Sequence, residues 1–156
     1  MKNKNFASRL IRKVVVLSCL AILFLAIMSM TAFRPDGLGV SNGRLAALPD
    51  SPNGVSSQTA DDAKKLPALE IESGDPLQTI ASVVEKNFPR ARLVTSEADY
   101  QHFEFTSLLF RFVDDVEFFV DGDVVHFRSA SRVGYSDMGA NRKRIAAIRK
   151  LLDRAN

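Results

Sequence analysis

Residues 110–130 read FRFVDDVEFFVDGDVVHFRSA, and this stretch decides the fold. Two apolar, β-branched and aromatic runs flank Asp121-Gly122. An Asp-Gly pair between such runs is the strongest short-range signal for a β-hairpin, because both turn residues must adopt positive φ. A two-residue turn on Asp121-Gly122 pairs Val120 with Asp123, and the register then runs back mechanically. Phe118 faces Val125, Val116 faces Phe127 and Asp114 faces Ser129 on one side of the sheet. On the other, Phe119 faces Val124, Glu117 faces His126 and Asp115 faces Arg128, so the turn-distal end gathers polar and oppositely charged pairs. A bulge would break this register.

Outward from the hairpin, Tyr100–Thr106 alternates Tyr100, His102 and Glu104 against Gln101, Phe103 and Phe105, as a half-buried strand does. Ala91–Ser96 is a shorter strand. Ahead of it, Asp75–Phe88 predicts a helix, with Asp75 as N-cap, Pro76 at the first helical position and Leu77, Ile80, Val84 and Phe88 on one face. A last helix spans Asp137–Asp153, capped by Ser136 or Asp137, with Met138, Ile145, Ile148 and Leu152 lining one face. Residues 34–73 are rich in Gly, Pro, Ser, Asn and Asp without periodicity and read as linker and loop. Helix, antiparallel strands and helix give an α+β fold, a small sheet packed by two helices over residues 74–156.

The N-terminal end is of another kind. Val14–Phe33 contains no charged residue over 20 positions, enough at 1.5 Å per residue to cross a hydrocarbon core of about 30 Å. Lys2, Lys4, Arg9, Arg12 and Lys13 precede it with no acid among them. That asymmetry places residues 1–13 in the cytoplasm, a single-pass anchor at 14–33 in the inner membrane, and the domain in the periplasm or outside. The competing reading is a cleaved signal peptide, whose apolar core is shorter and ends in small residues. Here the best cut, after Ala32, leaves Met30 at −3. Cys19 is followed by 14 more uncharged residues, which removes a lipoprotein cleavage site; as the sole cysteine, it leaves the domain without disulfide or thiol chemistry.

The five basic residues of the tail also account for the basic composition. Residues 34–156 hold 16 basic and 18 acidic side chains, a net charge of −2. Nucleic-acid binding, which rests on a basic surface, loses its support.

Arg111–Glu117 (RFVDDVE) and Phe127–Arg144 (FRSASRVGYSDMGANRKR), with Pro49–Gln58 (PDSPNGVSSQ) upstream, resemble the motifs of the domain-of-unknown-function 1499 family. The resemblance covers about Leu48–Leu152. It implies a protein of the bacterial envelope or an organelle lumen, often membrane-anchored or exported, with no known catalytic activity; no cofactor is expected. The family commonly carries two cysteines where this chain has Leu48 and Gly54; their joint loss implies that they pair with each other, while Pro52-Asn53 and Ser56-Ser57 are kept.

Site residues fall in two groups. Arg128, Ser129, Ser131, Arg132, Tyr135, Ser136 and Asp137 lead from a strand into a helix whose first turns carry Asn141 and Arg142. A helix N-terminus offers free N–H groups and a positive dipole end, so with three arginines nearby it suits a phosphate or carboxylate. The alternative is that the same residues tie the loop to the sheet: Arg128 with Asp115, Arg132 with Asp114 or Glu117, and Ser136 or Asp137 as cap. Asn141 lies on the apolar stripe and, if buried, must be hydrogen-bonded, the loop carrying Asn53 being the expected partner. Arg111 belongs to the same motif set. Arg142, Lys143, Arg144, Arg149, Lys150 and Arg154 populate the polar faces of the last helix and would orient a tethered domain toward anionic headgroups.

Two functional readings follow. The first is a non-enzymatic anchored domain that binds an anionic ligand, a lipid headgroup or an envelope protein through the Arg128–Arg144 junction. The second is a hydrolase or metal-dependent enzyme using Asp114, Asp115, Glu117 and His126. A metal on Asp115, Glu117 and His126 lacks any HxxxH or HExxH spacing. Ser56 or Ser57 with His102 or His126 lacks the GxSxG elbow, and Ser-Ser after Pro-Asn is ordinary turn chemistry. Burial of the three carboxylates, each against an arginine, speaks against the enzyme; a concave pocket shared with His126 speaks for it.

Overall fold

The computed structural model describes residues 2–30, 32–71 and 74–154. Helix α1 (Lys2–Met30) opens the chain and contains an apolar window, Ser8–Ser29, long enough to cross a membrane. The helix takes in the basic tail and ends at Met30, four residues short of Arg34. Thr31, inside the predicted span, and Glu72–Ser73, in the predicted linker, lie outside the described residues.

The rest is a sheet with helices on one face. Strands β1 (Val40–Ser41) and β2 (Arg44–Leu45) form a small ribbon. Strands β3 (Gly54–Ser56), β4 (Leu69–Glu70), β5 (Ala91–Ser96), β6 (Tyr100–Thr106), β7 (Val113–Asp121) and β8 (Val124–Ser131) build one antiparallel sheet in the order β3-β8-β7-β6-β5, β4 pairing with β8 beside β3. Helix α2 (Pro76–Asn87) precedes β5 and helix α3 (Ala140–Leu152) follows β8. The sheet is therefore larger than the sequence indicates. Residues 34–71 contribute β3 and β4 to it, and the separate β1–β2 ribbon, all too short to register as periodic segments.

Helix α2 forms as its sequence dictates: the Asp75 carboxylate accepts the N–H groups of Leu77 and Gln78, and Leu77, Ile80, Val83 and Val84 are buried. They meet Val55, Leu69, Phe103, Phe105, Val116, Phe118, Val125 and Phe127 from the sheet and Ile145, Ile148 and Leu152 from α3. Fifteen buried apolar residues in one cluster are a core of ordinary size for a domain of this length.

Four expectations need correcting. The hairpin turn is Gly122-Asp123, with Asp121 opposite Val124, so every partner on β8 moves by two residues. Gly122 takes φ 59° while Asp123 keeps negative φ, the pattern of a turn with glycine at its first central position rather than its second. The shift preserves faces but changes neighbours: Glu117 stands opposite Arg128, not His126; Asp115 stands opposite Ala130, not Arg128; Phe118 stands opposite Phe127. Helix α3 starts at Ala140, not Asp137, and Met138, expected in the core, is 89% exposed with φ 52°. Strand β7 starts at Val113, not Phe110, and Arg111 sits exposed in the preceding turn with φ 54°.

Candidate functional site

The hairpin alternation places two kinds of side chain on opposite faces of the sheet. Phe103, Phe105, Val116, Phe118, Val125 and Phe127 point to the helices. Tyr100, His102, Glu104, Asp115, Glu117 and Arg128 point the other way. That second face is not solvated, because residues 34–48 cross it as a strap.

Under the strap lies a buried charge network. Glu117, with no exposed surface, accepts hydrogen bonds from the Gly39 backbone N–H at 2.8 Å, the Tyr100 hydroxyl at 2.9 Å and Arg128 Nη1 at 3.1 Å. Arg128 also donates through Nε to the Ala47 carbonyl. Asp115 receives both Nε and Nη2 of Arg132, at 2.9 and 2.7 Å, a two-point contact matched to the planar guanidinium. Its Oδ1 lies 2.8 Å from His102 Nε2. Glu104 accepts from Arg34, Arg92 and Arg132.

The electrostatics follow from these contacts. Burial alone raises the pKa of Glu104, but hydrogen bonds from Arg34, Arg132 and Arg92 outweigh it and hold the value at about 2. Burial likewise pushes Asp115 upward, and Arg132 and His102 reverse the shift to below the usual carboxylate range. Tyr100 is driven far above its ordinary value by burial and then by the charge of Glu117 that its hydroxyl binds. Its hydroxyl stays protonated, as a donor to Glu117 must.

The helix-side face carries a second, smaller network centred on Asn141, wholly buried on α3. Its Nδ2 donates to the Asn53 carbonyl at 2.9 Å, to Ser131 Oγ at 3.1 Å and to Asp137 Oδ2 at 2.9 Å; its Oδ1 accepts from Ser129 Oγ at 2.6 Å and from Arg144. The expected Asn141–Asn53 link is present. Asn53 Nδ2 in turn donates to the Gly134 carbonyl. Arg144 pairs with Asp114 and lies over the Phe105 ring, 4.7 Å from its centroid.

The anion site expected at the start of α3 is filled by the chain itself. Asp137 accepts the N–H groups of Gly139 and Asn141, which with burial opposing leaves its pKa lowered. Ser136 Oγ accepts the Met138 N–H. The arginines do not converge there. Arg128 and Arg132 are on the strap face, paired with Glu117 and Asp115 rather than with the expected Asp115 and Asp114 or Glu117. Of the basic residues on α3, Arg144 is committed to Asp114, and Arg142 and Arg149 donate to carbonyls of residues 63, 67 and 68.

The carboxylates of the enzyme reading are not brought together. Asp114 lies on the helix face and Asp115 and Glu117 on the strap face, each buried against its own arginine. His126 stands opposite Phe119. Its Nδ1 is 3.1 Å from Ser57 Oγ, and its Nε2 is 3.9 Å from Asp121. Ser57 Oγ already accepts the Phe127 N–H at 3.0 Å, and Ser56 Oγ donates to the Phe127 carbonyl. Both serines thus fasten residues 56–57 to β8. The 3.9 Å contact is too long to orient the imidazole as a base. Among the described residues there is no group of three or more potential metal ligands.

What stays open is a cleft of about 400 Å³ between the two motif segments, lined by Asp50, Pro52, Lys64, Tyr135, Asp137 and Arg142. Tyr135 is 79% exposed beside it. A second cleft, about 560 Å³, runs between the strap and residues 56–64, where Arg44 and Gln58 are hydrogen-bonded across its floor. Sequence reasoning missed Arg34, Tyr100, His102, Glu104 and Arg144 as network members. The signal was present for the β6 residues: their polar alternation matches that of Asp115 and Glu117 on the next strand, which stacks charge on one face of the sheet.

Compared with known proteins, residues 44–152 match a family model described as a protein of unknown function (DUF1499). No curated protein and no solved structure matches.

Proposed function

The chain belongs to this family of unknown function, and from its apolar helix and the cleft between its two motif segments we propose a single-pass, membrane-anchored binding domain that performs no catalysis. The anchor is retained, residues 1–13 stay in the cytoplasm, and the domain faces the periplasm or the outside. The ligand site is the cleft between Asp50–Val55 and Tyr135–Arg142 rather than the helix N-terminus beside it, whose N–H groups are taken by Asp137.

The observation that carries this reading is the contrast between the two regions. The buried carboxylates and arginines are consumed by one another, whereas the cleft keeps exposed chemistry: the Arg142 guanidinium, which spends only Nη2 on the Ala63 carbonyl, and the face of Tyr135; Lys64 beside them is spent on the Pro49 and Asp50 carbonyls. Those groups suit a small ligand with an anionic group next to a planar or apolar portion. The enzyme reading retains no open carboxylate pair to work with.

The test uses the full chain extracted from its own membrane in lipid nanodiscs and weighed by native mass spectrometry. A non-protein adduct is expected on the wild type and is expected to be lost from the Tyr135→Ala/Arg142→Ala variant, whose substitutions are on the surface. An adduct unaffected by both substitutions refutes the cleft. A bare wild-type mass refutes the small ligand and leaves a protein partner.

A further inference from the structure

Past the anchor, the domain has few large apolar side chains in water, and two of them are consecutive. Leu108 and Leu109 are 71% and 77% exposed in the turn joining β6 to β7. Residues 107–112 close on themselves, Ser107 and Phe112 exchanging hydrogen bonds. The rings of Phe110 and Phe112 pack together, 5.7 Å between centroids. The two phenylalanines are half-buried, while the two leucines are left outward.

The position of this turn is fixed by the topology. Thr106 pairs with Val113, so the turn caps one end of the sheet. Arg34, the first charged residue after the apolar helix, donates to Glu104, two residues before the end of β6. The anchor therefore joins the domain at the same end. From Ser29 to Arg34 the chain spans at most about 18 Å, while Thr106 lies about 7 Å beyond Glu104 along its strand. The leucine turn is within reach of the bilayer that α1 enters.

Charge is distributed along the same axis. At the anchor end Glu104 is shared by Arg34, Arg92 and Arg132, Arg90 donates to the Thr106 carbonyl, and Arg111 is exposed in the turn. At the other end the β5–β6 connection carries Glu97 and Asp99, and the β7–β8 turn carries Asp121 and Asp123. The β6–β7 turn at the anchor end is basic and apolar and the two turns at the other end are acidic, with Arg149, held beside β4, a counter-charge on that side. That is the polarity of an object that rests on an anionic surface with its acidic end turned away.

We propose that the anchor end of the sheet docks on the surface of an anionic bilayer, with Leu108 and Leu109 in the interface and Arg90 and Arg111 among the lipid phosphates. This rests on the anchored reading above and adds a fixed orientation to it: the domain lies against the membrane instead of swinging on its tether.

The chain has no tryptophan, so single reporters can be introduced into the full protein. Leu109→Trp, Asp123→Trp and Phe24→Trp are each reconstituted in vesicles containing phosphatidylglycerol, with and without acyl chains brominated near the headgroup. The expected result is blue-shifted emission and loss of most intensity to bromine for Leu109→Trp and Phe24→Trp, with neither change for Asp123→Trp. Quenching of Phe24→Trp alone overturns the docked orientation and leaves the anchor standing. Equal quenching of Leu109→Trp and Asp123→Trp also overturns it, since no face is then selected. Absence of quenching for Phe24→Trp overturns both the anchor and the orientation.

Discussion

Replacing Glu117 by Gln keeps the shape of the side chain and removes its charge, which makes it the most informative single change in the strap-face network. In the wild type the carboxylate offsets Arg128 and accepts from Tyr100 and Gly39, all out of water. In Glu117→Gln the amide oxygen still accepts from Tyr100 or Gly39, but the Arg128 charge is left with the Ala47 carbonyl alone. Breaking a buried pair from one side costs about 3–5 kcal/mol, because it strands a charge. For a domain of this size that is a fall in Tm of about 10–20 °C. Arg128→Met strands Glu117 instead and costs a similar amount. Glu117→Gln/Arg128→Met strands neither charge, so it is expected to be more stable than either single variant, within about 1–2 kcal/mol of wild type. The assay is urea and thermal unfolding of the full chain in detergent, followed by far-ultraviolet circular dichroism. A double variant as unstable as the two single losses added together refutes the idea that the cost lies in the stranded charge.

Three further outcomes are expected. The Glu104 pKa lies at about 2, below its ordinary 4.5, and Asp115 and Asp137 shift in the same direction. Their contribution to stability is therefore full above pH 4.5 and lost as pH falls from there toward 2. Urea midpoints measured across that window test this, and a slope unchanged in Glu104→Gln contradicts it. Asn141→Leu removes the hub on α3 and is expected to cost about 1–3 kcal/mol for the buried groups left unpaired; an unfolding midpoint equal to wild type argues that the groups repair among themselves. Gly54→Ala places a Cβ 2.9 Å from Ala130 Cβ and 2.9 Å from Leu48 Cδ2, an overpacking that costs about 1–3 kcal/mol. Part of that loss is expected to return in a Leu48→Ala background, and calorimetry showing no return refutes the clash with Leu48.

That last contact shows how far the sequence could be read. Leu48 and Gly54 occupy the two positions at which the motif resemblance implies cysteines, and here the leucine side chain fills the space that a side chain at 54 would need. The inferred proximity of the two positions is met, though only the motif comparison signalled it. Helix α2, strands β5 and β6, and the buried Asn141 with its link to Asn53 were legible from local patterns. The hairpin register was not. Asp-Gly and Gly-Asp turns use the same residues 121–123, and the choice between them rests on which pairing packs better: Phe118 against Phe127 and Glu117 against Arg128 are made only in the observed one. The strap was illegible for a related reason. Its role depends on backbone groups, the Gly39 N–H and the Ala47 carbonyl, which no side-chain pattern reports.

Those backbone contacts also connect the network to the segment that follows α1. A sheet with one apolar and one charged face normally leaves the charged face to water; here water is replaced by residues 34–48, the segment that leads from α1 into the domain. Glu104 holds Arg34 at the start of the strap, Glu117 holds Gly39 in the middle and Arg128 holds Ala47 near its end. Three charged side chains thus fix the strap at three points across the sheet, with Leu45 packed on Tyr100 and Phe119 between the last two. A free linker in this place would let the domain sample every orientation about its tether. A strap clipped to the sheet is held from Arg34 onward. In the anchored reading proposed above, the buried charges have a role that needs no catalysis: they set where the tether leaves the domain, and so which end of it meets the membrane.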